Sequence, residues 1–178
     1  MDQNPTVVSE AVAAGFVGVV GDATRREVLA QAAIDRARAV IVAPNRDDTA
    51  VLITLTAREI NPAAHIVAGG REQENLHLLR QGGANEVIDA TAAVGRMLGL
   101  GTFAPGAVRV LDDLLDAGAG LELVEVPPES SGRGFVAPPG SNVVAVIRDG
   151  VRLLPSAVES ETLRAEDRLV VLRNSLDT

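Results

Sequence analysis

The chain has 178 residues with a formal net charge of −8, and 47% of its residues are apolar, enough to bury the core of one ordinary domain or two small lobes. With no cysteine it has no disulfide, thiolate nucleophile or cysteine–zinc site, which suits the cytoplasm. All of its basic residues are arginines scattered along the chain and its few aromatics are all Phe, so it lacks both the basic stripe and the stacking platform of a nucleic-acid binder.

The opening residues, Met1-Asp2, are followed by no basic region or apolar stretch of the signal-peptide kind, and no apolar run is long enough for a membrane span. The chain is therefore expected to be soluble. Val7–Gly15 reads as a short helix closed by Gly15. Phe16–Val20 (FVGVV) reads as an apolar strand, followed by a Gly-Asp turn and a helix over Arg25–Ala33. Thr24 and Glu27 stand at capping-box spacing at the start of that helix.

The same strand–turn–helix design returns in Ala39–Asn61 and in His65–Gly83. Ala39–Ala43 has the composition of a strand buried on both faces of a parallel sheet. The helix from Asp47 to Ile60 places Val51, Leu52, Leu55 and Ile60 on one apolar stripe, and Pro62 prevents its continuation. A third strand at Ile66–Ala68 leads into a helix over Gln73–Arg80 that ends at Gly82-Gly83, and Glu86–Asp89 makes a short fourth strand. Such a sheet carries its functional edge at the C-terminal ends of its strands.

Two more helices follow, Thr91–Leu100 and Ala107–Ala117, separated by Gly101–Gly106. Val108, Leu111, Leu114 and Leu115 lie at helical spacing in the second. After Gly118 the pattern turns to strands: Leu121–Val126, Asn142–Gly150 turning into VRLLP, and Arg168–Leu172. The segment Pro127–Asn142, rich in Pro, Gly and Ser, reads as a mobile loop, and the tail SLDT as frayed. The fold class is α/β: a partial Rossmann-like parallel-sheet lobe over 1–90, helices over 91–117, and a small mostly-β (α+β) lobe over 118–178.

The segments GFVGVVGDATRREVLAQAAIDRARAVIVA, IVAGGREQENLHLLRQGGANEVID, LELVEVP and NVVAVIRDG…LLP…TLRAEDRLVVL, in that order over nearly the whole chain, resemble the regulator-of-potassium-conductance (RCK) domain of the TrkA type. The resemblance implies a Rossmann-like first lobe, crossover helices that intertwine two subunits, and a C-terminal lobe used for ligand binding or assembly. It further implies a cytoplasmic domain that senses a small ligand and gates a potassium channel or transporter, as a homodimer or a higher ring. The sequence leaves the ligand open; the resemblance allows an adenine nucleotide or NAD(H). Nucleic acid is not among the expected partners, nor is direct insertion into the membrane.

The family's first lobe ordinarily opens with a strand, a GxGxxG loop, a helix and a second strand ending in an acidic residue. Here Met1-Asp2-Gln3-Asn4-Pro5 resembles the tail of that second strand, with Asp2 as the ribose carboxylate, and the glycine loop is missing. The chain therefore reads as truncated before that loop. The absent strands would fall between Phe16–Val20 and Ala39–Ala43, and the remaining strands are expected to close up and pair or to exchange between copies.

Candidate ligand residues follow from the resemblance and from position at strand ends: Asp2; Asp22, Ala23 and Thr24 of the GDAT turn; Asn45, Arg46 and Asp47 after the second strand; Arg71 and Glu72 after the third. Each has a bland reading as well. Asp22 and Thr24 serve as turn and cap, Asp47 and Asp48 complement a helix dipole, and Arg71 with Glu72 forms a surface pair. Gly69, Gly70 and Arg71 stand where calcium-gated relatives carry carboxylates, His65 and His77 lack zinc-ligand spacing, and Arg148 and Arg152 read as solvated hairpin charges. No nucleophile–base–orienter set can be assembled, and Ser130 and Ser131 fall in the loop, so no catalytic residue and no metal site are expected. The alternatives to a sensor are a nucleotide-dependent oxidoreductase fragment and an oligomerisation module without ligand.

Overall fold

The structure, a computed structural model, describes residues 1–116, 120–128, 132–133, 140–158 and 162–174. It divides into two compact units, Met1–Leu98 and Gly99–Thr178. No helix of the described residues is long and apolar enough to cross a membrane.

In the first unit, α1 (Pro5–Ala13) starts where Asn4 accepts the Thr6 N–H and Pro5 supplies a preset φ at the first helical position. It begins two residues earlier than the apolar pattern suggests. Phe16–Val20 is not a strand. It is a connecting segment whose last residue, Val20, forms an isolated parallel bridge with Asp2. Thr24 does not cap the next helix either. Both its N–H and its hydroxyl donate to Asp22 Oδ1, at 3.0 and 2.8 Å, and α2 (Arg26–Gln31) starts from Arg25 without a side-chain cap.

β1 (Ala39–Val42), β2 (His65–Gly70) and β3 (Glu86–Asp89) form a parallel sheet in that order. The register runs from Ala39–His65 to Val42–Ala68 and from Val67–Glu86 to Gly70–Asp89. α3 (Asp47–Ile60) and α4 (Leu76–Gln81) are the crossovers, the latter preceded by a 3-10 turn over Gln73–Asn75. The buried cluster joins Leu29, Val42, Ile53, Ile66 and Leu79 to Ala50, Ala57, Ala64 and Ala68, and the alanines let α3 approach the sheet closely.

Two expectations about packing are corrected here. α3 buries Ala50, Ile53, Thr54 and Ala57; of the expected stripe, Val51 and Ile60 pack half-buried against the same cluster, whereas Leu52 and Leu55 are exposed. β1 is covered on one face only, with Ile41 80% exposed on the other. It is also an edge strand. Among the described residues it pairs with β2 alone, so the segment Phe16–Val20 has not closed up against it.

α5 (Ala90–Phe103) and α6 (Pro105–Leu115) are interrupted at Ala104 alone. The glycines at 101 and 106 lie inside these helices, and the expected Gly101–Gly106 spacer does not form. Pro105 at the first position of α6 sets the break.

In the second unit β4 (Leu121–Val126), β6 (Ser141–Arg148), β7 (Val151–Leu153) and β9 (Arg168–Asn174) form an antiparallel sheet in the order β4-β9-β6-β7. The β6–β9 register shifts between Val143 and Ala145. Short β5 (Gly132–Arg133) pairs with β8 (Thr162–Leu163), and α7 (Pro155–Val158) follows β7. Val146, Val158, Leu163, Leu169 and Val171 form the core. Asp149 and Gly150 both have positive φ, 51° and 75°, the signature of a type I′ hairpin turn. β5 and the start of β6 fall inside the segment read as a loop. Most of the rest of that segment, including Ser130 and Ser131, and with it Ala117 and the SLDT tail, lies outside the described residues.

Candidate functional site

Parallel strands point their C-terminal ends at the turns that follow them, and the turns after β1 and β2 carry Asn45, Arg46, Asp47, Arg71 and Glu72. A cavity of about 810 Å³ lies beside β1, lined by Ala37, by Ala39 through Arg46, and by Met1, Asp2 and Gln3 among others. Asp2, Asp22, Ala23, Asn45 and Arg46 all line it, whereas Thr24, Asp47, Arg71 and Glu72 do not.

Asp2 is fixed by its backbone. Its N–H donates to Val19 O at 3.1 Å, and its carbonyl accepts from Gly21 N–H at 2.9 Å. Its carboxylate accepts the Asn4 N–H at 2.7 Å. A Cβ at Gly21 would fall 2.8 Å from Val28 Cγ1, so a side chain at this turn would force Val28 to shift. Asp22 is held below the usual carboxylate range by the Thr24 N–H and then the Thr24 hydroxyl, with Gln3 contributing a weaker side-chain bond. It stays ionised at neutral pH beside the cavity mouth.

Arg46 and Asp48 form a fork-to-fork pair, Nε to Oδ1 at 3.0 Å and Nη2 to Oδ2 at 2.6 Å. This pair and the Thr49 N–H bring the Asp48 carboxyl down to about 2. Both side chains are largely exposed, so water screens the pair strongly and it contributes little to stability.

Asp47 has turned inward. Burial pushes its carboxyl up, but the Glu72 and Arg71 N–H groups, each at 3.0 Å, and Asn75 Nδ2 at 3.3 Å outweigh this and hold it low. The carboxylate of α3 thus clamps the turn after β2. Arg71 and Glu72 enter that clamp through their backbones, and Thr91 closes the other side by donating to Arg71 O at 2.9 Å. Asp89 ends β3 by accepting the Ala92 N–H at 2.8 Å.

The sequence reading did not single out Arg58. From the last turn of α3 it donates to Gly83 O, Pro62 O, Ala64 O and Asn85 Oδ1 over 2.7–3.1 Å, tying the ends of α3 and α4 to the start of β2. The only signal was a basic residue in a helix's last turn. In the second unit Arg148 is not a solvated hairpin charge. It is largely buried and donates from Nε and Nη2 to the two oxygens of Asp167, both at 2.9 Å.

Residues 1–90 match the TrkA-N domain family. Over 100 residues the chain is 36% identical to probable potassium channel protein 2 of Methanocaldococcus jannaschii, covering 56% of this chain and 29% of that protein. It is similar to the TrkA-N domain of the inner membrane protein ybaL from Escherichia coli, at 27% identity and a TM-score of 0.52, with 55% of this chain and 73% of that chain covered. The human SLO3 gating ring shares its fold over 99% of this chain and 39% of that one, at 12% identity and a TM-score of 0.67. The chain spans less than a third of the length of the curated relatives it matches.

Proposed function

The chain belongs to the TrkA-N family, and we propose on that footing that it is the ligand-sensing regulatory domain of a potassium channel or transporter, acting on the cytoplasmic side of the membrane. The family match over residues 1–90 is the observation that carries this reading. The name of the Methanocaldococcus jannaschii relative, a probable potassium channel, supports it. The domain works by shifting populations: a ligand favours one arrangement of a dimer or ring, and the change passes to a pore without chemistry. The division of labour is a Rossmann-like lobe over 1–90, crossover helices that pair two copies over 91–117, and a second lobe over 118–178. In this reading the strand, glycine-rich loop and helix that open the family's first lobe are supplied from outside residues 1–178.

The ligand site consists of Asp2, Asp22, Ala23, Asn45 and Arg46 around the cavity mouth, with Thr24, Asp47, Arg71 and Glu72 shaping the turns behind them. The ligand class is an adenine nucleotide or NAD(H). Calorimetric titration of the chain with ADP, ATP, NAD and NADH, repeated on Asp22→Ala, tests this. Binding that is lost in the variant is the expected result, and binding unchanged by Asp22→Ala removes the site from this turn. One observation favours a second reading, an oligomerisation module without ligand: Asp22, Asp47 and Asp48 are already engaged by donors of the chain itself. Stable oligomers that bind none of the four nucleotides would establish it.

A further inference from the structure

α3 and α5 are tied to the two ends of one peptide unit. The Glu72 N–H donates to Asp47 Oδ2 at 3.0 Å, and the Arg71 carbonyl accepts from the Thr91 hydroxyl at 2.9 Å. That carbonyl and that N–H belong to the same planar trans unit, so they point in opposite directions and turn together. A carboxylate on the N–H polarises the unit and makes its carbonyl a better acceptor. Two helices far apart in sequence are thus joined across the turn after β2.

The turn itself is closely held. The Arg71 N–H, which belongs to the preceding peptide unit, donates to Asp47 Oδ1 at 3.0 Å, and Asn75 Nδ2 reaches Oδ2 at 3.3 Å. A Cβ at Gly70 would collide with Leu76 Cδ2, so the end of β2 lies close against α4. Asp47 is buried, and in the chain it directly follows Asn45 and Arg46, which line the cavity together with Thr49 and Ile53 of α3. Whatever seats against these four residues acts on the first turn of α3. A displacement of that turn by about 1 Å stretches the bonds to Arg71 and Glu72 beyond hydrogen-bonding range.

We propose that Asp47 is a positioning residue that couples the cavity mouth to the start of α5 through the Arg71–Glu72 peptide unit. Occupancy beside Asn45 and Arg46 then sets how firmly α5 begins. The first turn of α5 is held when Thr91 keeps its acceptor and Asp89 accepts the Ala92 N–H at 2.8 Å, and it loosens when the peptide unit turns away. Val94 and Leu98, exposed on the turns that follow, lie where the change is felt. This deepens the sensor reading and rests on it for the ligand, but not for the link between the two helices.

The test is backbone NMR with amide hydrogen exchange on the 178-residue chain, first without ligand. The variants are Thr91→Val, Thr91→Ser, Asp47→Asn and the Asp47→Asn, Thr91→Val double. Thr91 is exposed and valine keeps its shape, so Thr91→Val decides the matter even if Asp47→Asn fails to fold. Thr91→Val should shift the Glu72 amide proton upfield, although Thr91 does not touch it, and leave the Arg71 amide in place. Thr91→Ser, which keeps the hydroxyl, should restore the Glu72 resonance. Exchange at Val94 and Gly95 should quicken about threefold or more in either single variant and no further in the double. A Glu72 resonance unmoved by Thr91→Val, or moved equally by Thr91→Ser, overturns the proposal, as do additive effects in the double variant. Calorimetry and exchange with ADP separate the link from the reading it rests on. ADP that binds both wild type and Thr91→Val, but slows exchange at Val94 only in wild type, supports the link. ADP that binds wild type without altering exchange at Val94 overturns it and leaves the sensor reading standing. Silent ADP calorimetry beside a non-additive double variant supports the link and counts against the nucleotide reading.

Discussion

Asp167 has no exposed side-chain surface, and besides both Arg148 contacts it accepts the Arg164 N–H at 2.9 Å. Removing one partner of a buried ion pair costs about 3–5 kcal/mol, most of it from the charge left behind. Asp167→Ala is therefore expected to unfold the second unit at markedly lower urea, read by far-ultraviolet circular dichroism because the chain has no Trp or Tyr. The Arg148 guanidinium, ahead of burial, holds this carboxyl below its usual range, and donors around Asp47 do the same in the first unit. The unfolded chain, with carboxyl pKa values of about 4, takes up protons first as pH falls. The stability contributed by both carboxylates is thus fully present above about pH 4 and is lost as pH drops through their lower folded values. Thermal melts between neutral and strongly acidic pH check this, and the acid-side loss should shrink in Asp167→Asn. Nothing in the residue types alone separated these two aspartates from Asp48, which is exposed. The separation comes from which elements face them.

At the scale of the element, the turn between Val20 and α2 inverts the roles that spacing assigns. Thr24 and Glu27 have the capping-box spacing, yet Asp22 accepts both Thr24 donors and no side chain caps α2. Asp22→Ala is expected to lower the urea midpoint of the first unit, because the Thr24 N–H and hydroxyl lose their acceptor, and Thr24→Ala to lower it by less. Equal or reversed losses in urea melts would restore Thr24 as the cap. α3 was legible in its bounds, because Asp47-Asp48 opens it and Pro62 closes it. Its buried face was not, because close approach to the sheet selected Ala50 and Ala57 over Leu52 and Leu55. The hairpin turn Asp149-Gly150 was legible to the residue, since a type I′ turn needs two positive φ values and its composition announces that.

For the whole molecule, α5 and α6 carry apolar side chains that the chain itself leaves in solvent. Val94 and Leu98 stand four residues apart on α5, as do Leu111 and Leu115 on α6, and all four are exposed. Apolar surface grouped this way marks association. Leu98→Asp, which alters a side chain 69% exposed and so spares the fold, is expected to shift sedimentation from dimer toward monomer with an unchanged circular dichroism spectrum. An unchanged sedimentation coefficient for this variant and for Leu115→Asp would remove these helices from the subunit contact.

Local pattern carried the fold class, the parallel β-α alternation of the first unit, the main strands of the second unit and the bounds of α3. Each of these depends on periodicity, caps and turn residues that neighbours in sequence supply. The failures share one cause. Whether Phe16–Val20 becomes a strand depends on a partner, and among the described residues only Val20 has a bridge partner. Whether β1 is covered depends on what lies across 810 Å³ from it. Asp47 became a structural clamp and Arg148 a buried cation because residues 24 and 19 positions further along the chain arrived beside them. Pairing and burial are properties of what meets across the fold, and only the tertiary structure decides them.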